Sequence, residues 1–164
     1  MTPLHVIALH GKCADVSYLL NNGWDVNLLS QSKATPLHFA AQNGHVSVVT
    51  LLLERKANVN HKDAEGNSTL HVATKNHNFE VAKILIENNA EVDSTTKKGL
   101  TPLHFAAKND TTGTLVTLLL NHNADPSLKS RDRQTAFCLA VINQQLINAE
   151  ILVTRGCDSS YKDK

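Results

Sequence analysis

Nine histidines and three cysteines are the residues of this chain best suited to chemistry. His5, His38, His71 and His104 recur at intervals of 33 residues, and evenly spaced imidazoles invite a metal reading. Geometry argues against it. A zinc ion needs its nitrogen ligands about 2.1 Å from one centre, whereas packed helices carrying one such histidine each lie about 8–10 Å apart. His10, His45, His61, His77 and His122 form no ligand spacing either. Cys13, Cys138 and Cys157 lack a C-x-x-C spacing, and no motif places a base beside them. Carboxylates such as Glu54, Glu87 and Asp125 are scattered, and no glycine-rich phosphate loop is present. The residues predict no enzyme, no metal site and no cofactor.

The same histidines mark a repeated unit, seen most clearly in residues 35–60, TPLHFAAQNGHVSVVTLLLERKANVN. Thr35 is a good N-cap, with a hydroxyl able to accept a bond from the first turn. Pro36 suits the first helical position, where its missing N–H costs nothing. Leu37, Ala40 and Ala41 give a narrow apolar face that lets another backbone come close. Asn43-Gly44 ends this helix, predicted near Pro36–Asn43, because glycine enters the left-handed region cheaply. Val48, Val49, Leu51, Leu52 and Leu53 make a second helix, near Val46–Glu54, apolar on more than one side. Such a helix must be covered by several neighbours. Two helices this short cannot do so alone.

Copies of the unit supply the cover. TPLH begins at Thr2, Thr35 and Thr101, STLH at Ser68, and a worn form, Thr135-Ala136-Phe137-Cys138, comes one residue late. The extra residue is expected within Asp110–Thr114, where DTTG replaces NGH. Second-helix triplets repeat in phase at Tyr18–Leu20, Leu51–Leu53, Ile84–Ile86, Leu118–Leu120 and Ile151–Val153. Each second helix should end in a left-handed residue, at Gly23, Lys56, Asn89, Asn123 and Gly156, and only Lys56 is neither Gly nor Asn. The third copy has lost the proline (Thr69) and the turn glycine (His77). The fifth has drifted furthest: Asn148 stands where the second copy has Val48, which predicts an end unit that frays first, with the second and fourth copies most stable.

A period of 33 residues opening on T-P-L-H resembles the ankyrin repeat family over the whole chain. The resemblance implies an all-α solenoid of five helix–turn–helix units with projecting hairpin loops. It would be one domain, 1–164, with repeats 2–34, 35–67, 68–100, 101–134 and 135–164. It also implies that His5, His38, His71 and His104 hydrogen-bond near the Thr or Ser of their own motif, a role absent at Cys138. The motif follows Met1 directly and Tyr161–Lys164 stop within a loop. The expectation is therefore a segment of a longer protein or, alternatively, ends covered by partners.

Net charge is +1 at pH 7, so no global field argues for nucleic acid or a membrane surface. No apolar run has membrane length, and no signal peptide is evident. An odd cysteine count without framework spacing favours a reducing, intracellular (cytoplasmic) setting.

What remains is surface. In ankyrin arrays the partner is usually a protein or peptide held in a concave groove of loop tips and first-helix residues. Carried over by position, the tips are Gln31, Ser32, Ala64, Glu65, Lys97, Lys98, Arg131 and Asp132. The first-helix row is Gln42, Asn43, Lys75, Asn76, Lys108, Asn109, Ile142 and Asn143. The recurring Asn reads either as a ladder gripping a peptide backbone or as a routine helix terminator. Lys75, Lys97, Lys98, Lys108, Arg131 and Arg133 would favour an acidic partner, or are an ordinary solvated surface; without interleaved aromatics, nucleic acid is disfavoured. Trp24 is either a plug against the next loop or an exposed anchor. Asn27, in Asp25-Val26-Asn27, matches the position that an asparaginyl hydroxylase modifies in some ankyrin proteins, and Asn60 matches less well. The function expected is protein recognition by a monomeric segment. The alternatives are a structural spacer in a longer array of a channel, toxin or effector, or a regulatory segment fused to an enzyme.

Overall fold

The computed structural model describes residues 1–156; Cys157, Tyr161–Lys164 and the end of the fifth predicted repeat lie outside them. Ten helices and no strand occur among the described residues. Two compact units are present, Met1–Glu91 and a second from Val92 onwards.

The first unit contains α1 (Pro3–Leu9), α2 (Cys13–Asn21), α3 (Pro36–Gln42), α4 (Val46–Glu54), α5 (Thr69–Lys75) and α6 (Phe79–Glu87). Odd-numbered helices pack in one row, α1 on α3 and α3 on α5, and even-numbered helices in another, α2 on α4 and α4 on α6. The second unit contains α7 (Pro102–Asn109), α8 (Thr114–Asn121), α9 (Ala136–Ile142) and α10 (Leu146–Thr154), with α7 against α9 and α8 against α10. Helices of seven to nine residues are too short to persist in isolation. Each is held by the row it stands in.

The caps form as the sequence requires. Thr35 is extended (φ −91°, ψ 167°) and Pro36 occupies the start of α3. The arrangement is a capping box in which His38 takes the place of the usual Glu or Gln. All five left-handed second-helix ends are present: Gly23 (φ 83°), Lys56 (67°), Asn89 (66°), Asn123 (63°) and Gly156 (85°). First helices end one residue earlier than expected in the second copy, with Asn43 as C-cap of α3.

The extra residue of the fourth copy lies where it was expected. Asp110 leaves α7 in an extended conformation, and Gly113 (φ 76°) precedes α8. The Asp110 carboxylate accepts from Thr112 N (2.9 Å), Thr112 Oγ1 (2.7 Å) and Leu115 N (2.8 Å), so it orders the turn and serves one unpaired amide in the first turn of the new helix.

The core follows the repeat. Leu4, Leu37, Leu70 and Leu103 of the opening motifs are buried, as are Ala40, Ala41, Ala73, Ala106 and Ala107 on the close-approach face. Leu52, Leu85, Leu119 and Leu152 are buried from the second helices. Each buried Leu contributes about 1.5–3 kcal/mol relative to exposure.

Candidate partner-binding surface

The four motif histidines make structural hydrogen bonds. His38 Nε2 faces the Asn67 carbonyl at 3.1 Å. A carbonyl only accepts, so Nε2 carries the proton and the Nδ1 lone pair faces the Thr35 hydroxyl (2.9 Å) and amide (3.3 Å). His5 repeats this between Thr2 and the Leu28 carbonyl (2.9 Å), and His104 between Thr101 and the Gln134 carbonyl (3.0 Å). His71 Nδ1 meets Ser68 Oγ at 2.8 Å. The caps at Thr2, Thr35 and Thr101 are thereby tied to the loop that leads to the following helix pair. Burial holds the pKa values of His5, His38 and His104 below the ordinary imidazole range. In α9, Thr135 Oγ1 accepts from Cys138 N instead (3.3 Å), and Cys138 makes no long-range bridge among the described residues. Among the described residues no group of three or more His, Cys, Asp or Glu is placed to hold a metal.

Four loops share one turn. Asp63 N donates to Asn67 O (2.9 Å) and Gly66 N to Asp63 O (3.0 Å), and the same pair of bonds recurs from Ser30, Thr96 and Ser130. A side-chain oxygen at the first position closes the turn: Asp63 Oδ1 accepts from Asn67 N (2.8 Å) and Ser30 Oγ from Ala34 N (3.1 Å). Within each unit one tip is tied to the next, by Ala64 N to Ser32 O (2.7 Å) and by Arg131 N to Lys98 O (2.9 Å). Within each unit the two tips are thereby fixed relative to one another.

The structure separates the predicted surface residues into two kinds. Gln42, Lys75, Lys97, Lys98, Lys108 and Arg131 are exposed and make no side-chain bond among the described residues. Three of the four asparagines are employed. Asn43 Nδ2 donates to Leu9 O, Asn76 to Val72 O and Asn143 to Leu139 O, each at 2.8 Å. Asn109 is the half-buried last residue of α7. Asn43, Asn76 and Asn143 stand as the C-caps of α3, α5 and α9.

Asn27 and Asn60 are latches. Asn27 Oδ1 accepts from Asn58 N (2.8 Å), and Asn60 Oδ1 accepts from Glu91 N (2.9 Å) while its Nδ2 donates to Asn89 O (3.1 Å). Asp93 accepts in the same way from Asp125 N (3.0 Å). Trp24 is about one-third exposed.

Several residues escaped the sequence reading. His45 Nε2 donates to Leu9 O (2.8 Å), and Asn78 Nδ2 to Ala41 O (2.8 Å) and Gln42 O (3.0 Å), so the starts of α4 and α6 brace the ends of α1 and α3. Gly44 makes room for the brace, since a Cβ there would lie 2.7 Å from Asn78 Oδ1. Phe39 stands edge-on to the His5 ring (centroids 5.3 Å apart). Ile142 interrupts the polar first-helix row and is 49 % exposed. The periodic signal was visible at 45 and 78, but the differing residue types concealed it.

Models of the ankyrin repeat family match the chain, one for ankyrin repeats (3 copies) over residues 1–63 and 70–163 and one for ankyrin repeats (many copies) over 47–86. The chain belongs to the ankyrin repeat family. Its members generally serve as protein–protein interaction modules and are typically non-enzymatic. No curated protein matches the chain. No helix among the described residues is long and apolar enough to cross a membrane.

Proposed function

We propose that this chain recognises a partner protein or peptide through its hairpin tips and the exposed first-helix residues, as a monomeric intracellular segment with boundaries near 34, 67, 100 and 134. One observation carries the reading. Gln42, Lys75, Lys97, Lys98, Lys108 and Arg131 are exposed and serve neither core, cap nor turn, whereas most other polar residues nearby do. The cationic majority favours an acidic partner through steering and rim contacts. Asn27 and Asn60 are the positions proposed for asparaginyl hydroxylation; mass spectrometry of protein from the source cell should find an added oxygen there.

The test is a cross-linking capture from the source cell, comparing the wild type with the triple variant Lys75→Glu/Lys98→Glu/Lys108→Glu. A partner captured by the wild type alone supports recognition by these residues. Equal capture by both removes the cations from the interface. Capture by neither favours a spacer.

A further inference from the structure

The four hairpin tips share one backbone but not one chemistry. Their third tip position is left-handed in every case: Lys33 (φ 58°), Gly66 (82°), Gly99 (71°) and Arg133 (59°). Glycine takes this conformation without strain and a long side chain does not. Gly66 and Gly99 show that the turn accepts glycine. Arg133 therefore bears a local backbone penalty, as Lys33 does, and what sets it apart is its surroundings.

Arg133 is not isolated. Arg131 N donates to Lys98 O (2.9 Å), and a Cβ at Gly99 would stand 3.0 Å from Arg131 N, so the two tips touch through their backbones. They carry Lys97, Lys98, Arg131 and Arg133 against one acid, Asp132, and all five side chains are exposed. None of the four cations has an ion-pair partner among the described residues. The paired tips of the first unit are a built-in comparison. Ala64 N donates to Ser32 O in the same way (2.7 Å), yet Gln31, Ser32, Lys33, Ala64 and Glu65 balance one cation with one anion. The backbone pairing does not require the charge.

We propose that the tips at Lys97–Gly99 and Arg131–Arg133 form one preorganised cationic cradle for a carboxylate-rich peptide segment, with Arg133 as a specificity-determining contact. The inference rests on the recognition reading above and names the partner's chemistry. Guanidinium groups bind carboxylates in two-point fashion, which lysine does not. Two tips joined by a main-chain bond present that fork without ordering a loop at binding.

The experiment uses the full chain and a fluorescein-labelled glutamate-rich peptide, followed by fluorescence anisotropy, with thermal unfolding in parallel. Arg133→Gly is expected to raise the melting temperature by about 2–4 °C while weakening peptide binding about tenfold. Lys33→Gly is expected to raise it similarly and leave binding unchanged. Wild-type binding should fall as salt is added. Opposite signs for stability and binding exclude misfolding as the cause. The cradle is overturned if the wild type does not bind the peptide, if Arg133→Gly binds as the wild type does, or if a single-stranded oligonucleotide binds instead. A partner still lost on charge reversal at Lys75, Lys98 and Lys108 would then leave the recognition reading standing without the cradle.

Discussion

Asn148, within α10, donates its Nδ2 hydrogen to the main-chain carbonyl of Asp110, where the fourth copy carries its extra residue. The same amide reaches Ala107 O (3.1 Å) and Ala106 O (3.3 Å). Asn148 is fully buried. The polar residue that suggested a weak, fraying end is therefore part of the core, closing a gap that the insertion opens. The braces at His45 and Asn78 serve helix ends in the same way, and here the donor sits one turn further along. Gly113 completes the fit, since a Cβ there would overlap the Ile151 side chain.

Asn148→Val, the change that restores the second copy's residue, should destabilise the protein. It removes the donor shared by three carbonyls, against which stands relief of an Oδ1 that has no partner. A net loss of about 1–3 kcal/mol is expected in urea unfolding followed by circular dichroism. A gain would show that Val packs there as Val48 does.

Lys56 is left-handed (φ 67°) at the end of α4, and its side chain is exposed. Lys56→Gly should stabilise by about 1 kcal/mol. The thermal midpoint checks this, and an unchanged or lowered value would contradict it.

Asn60→Ala removes the acceptor for Glu91 N and the donor to Asn89 O. Both bonds lie near solvent, so the expected loss is about 1 kcal/mol. Hydrogen exchange should quicken at the Glu91 amide and stay unchanged at Asp125, whose latch is Asp93.

Stability should fall in mild acid. His5, His38 and His104 have folded pKa values depressed below the unfolded imidazole value, chiefly through burial. The unfolded chain then binds more protons, so their contribution is fully present above about pH 6.5 and is lost as pH falls through the folded values. The urea midpoint should drop between pH 7.5 and pH 5. His38→Gln should flatten that drop while lowering stability at neutral pH.

Much of the architecture was legible because it is local and periodic. Thr35, Pro36 and Gly44 specify helix start and stop by their own conformational preferences, and the in-phase Leu triplets specify which faces are covered. The left-handed state of Lys56 was readable from its neighbours in phase, though its residue type argued otherwise. The candidate surface was less legible. Lys98 and Arg131 could be placed on tips, but nothing in their types shows that the tips share a main-chain bond.

By itself, then, the sequence determined the repeat, the ends of its helices and the family, because these depend on backbone preference and burial summed over a few residues. Only the tertiary structure decided which polar residues are free. Asn43, Asn76 and Asn143 looked like a surface ladder and are spent on helix ends; Asn27 and Asn60 are spent on latches, and Asn148 on the insertion. A hydrogen-bonding side chain has the same type whether its partner is a ligand, a carbonyl four residues back, as for Asn76 and Asn143, or a main-chain group some 30 to 40 residues away. For the distant partners, only the packing of one repeat against the next brings them within reach.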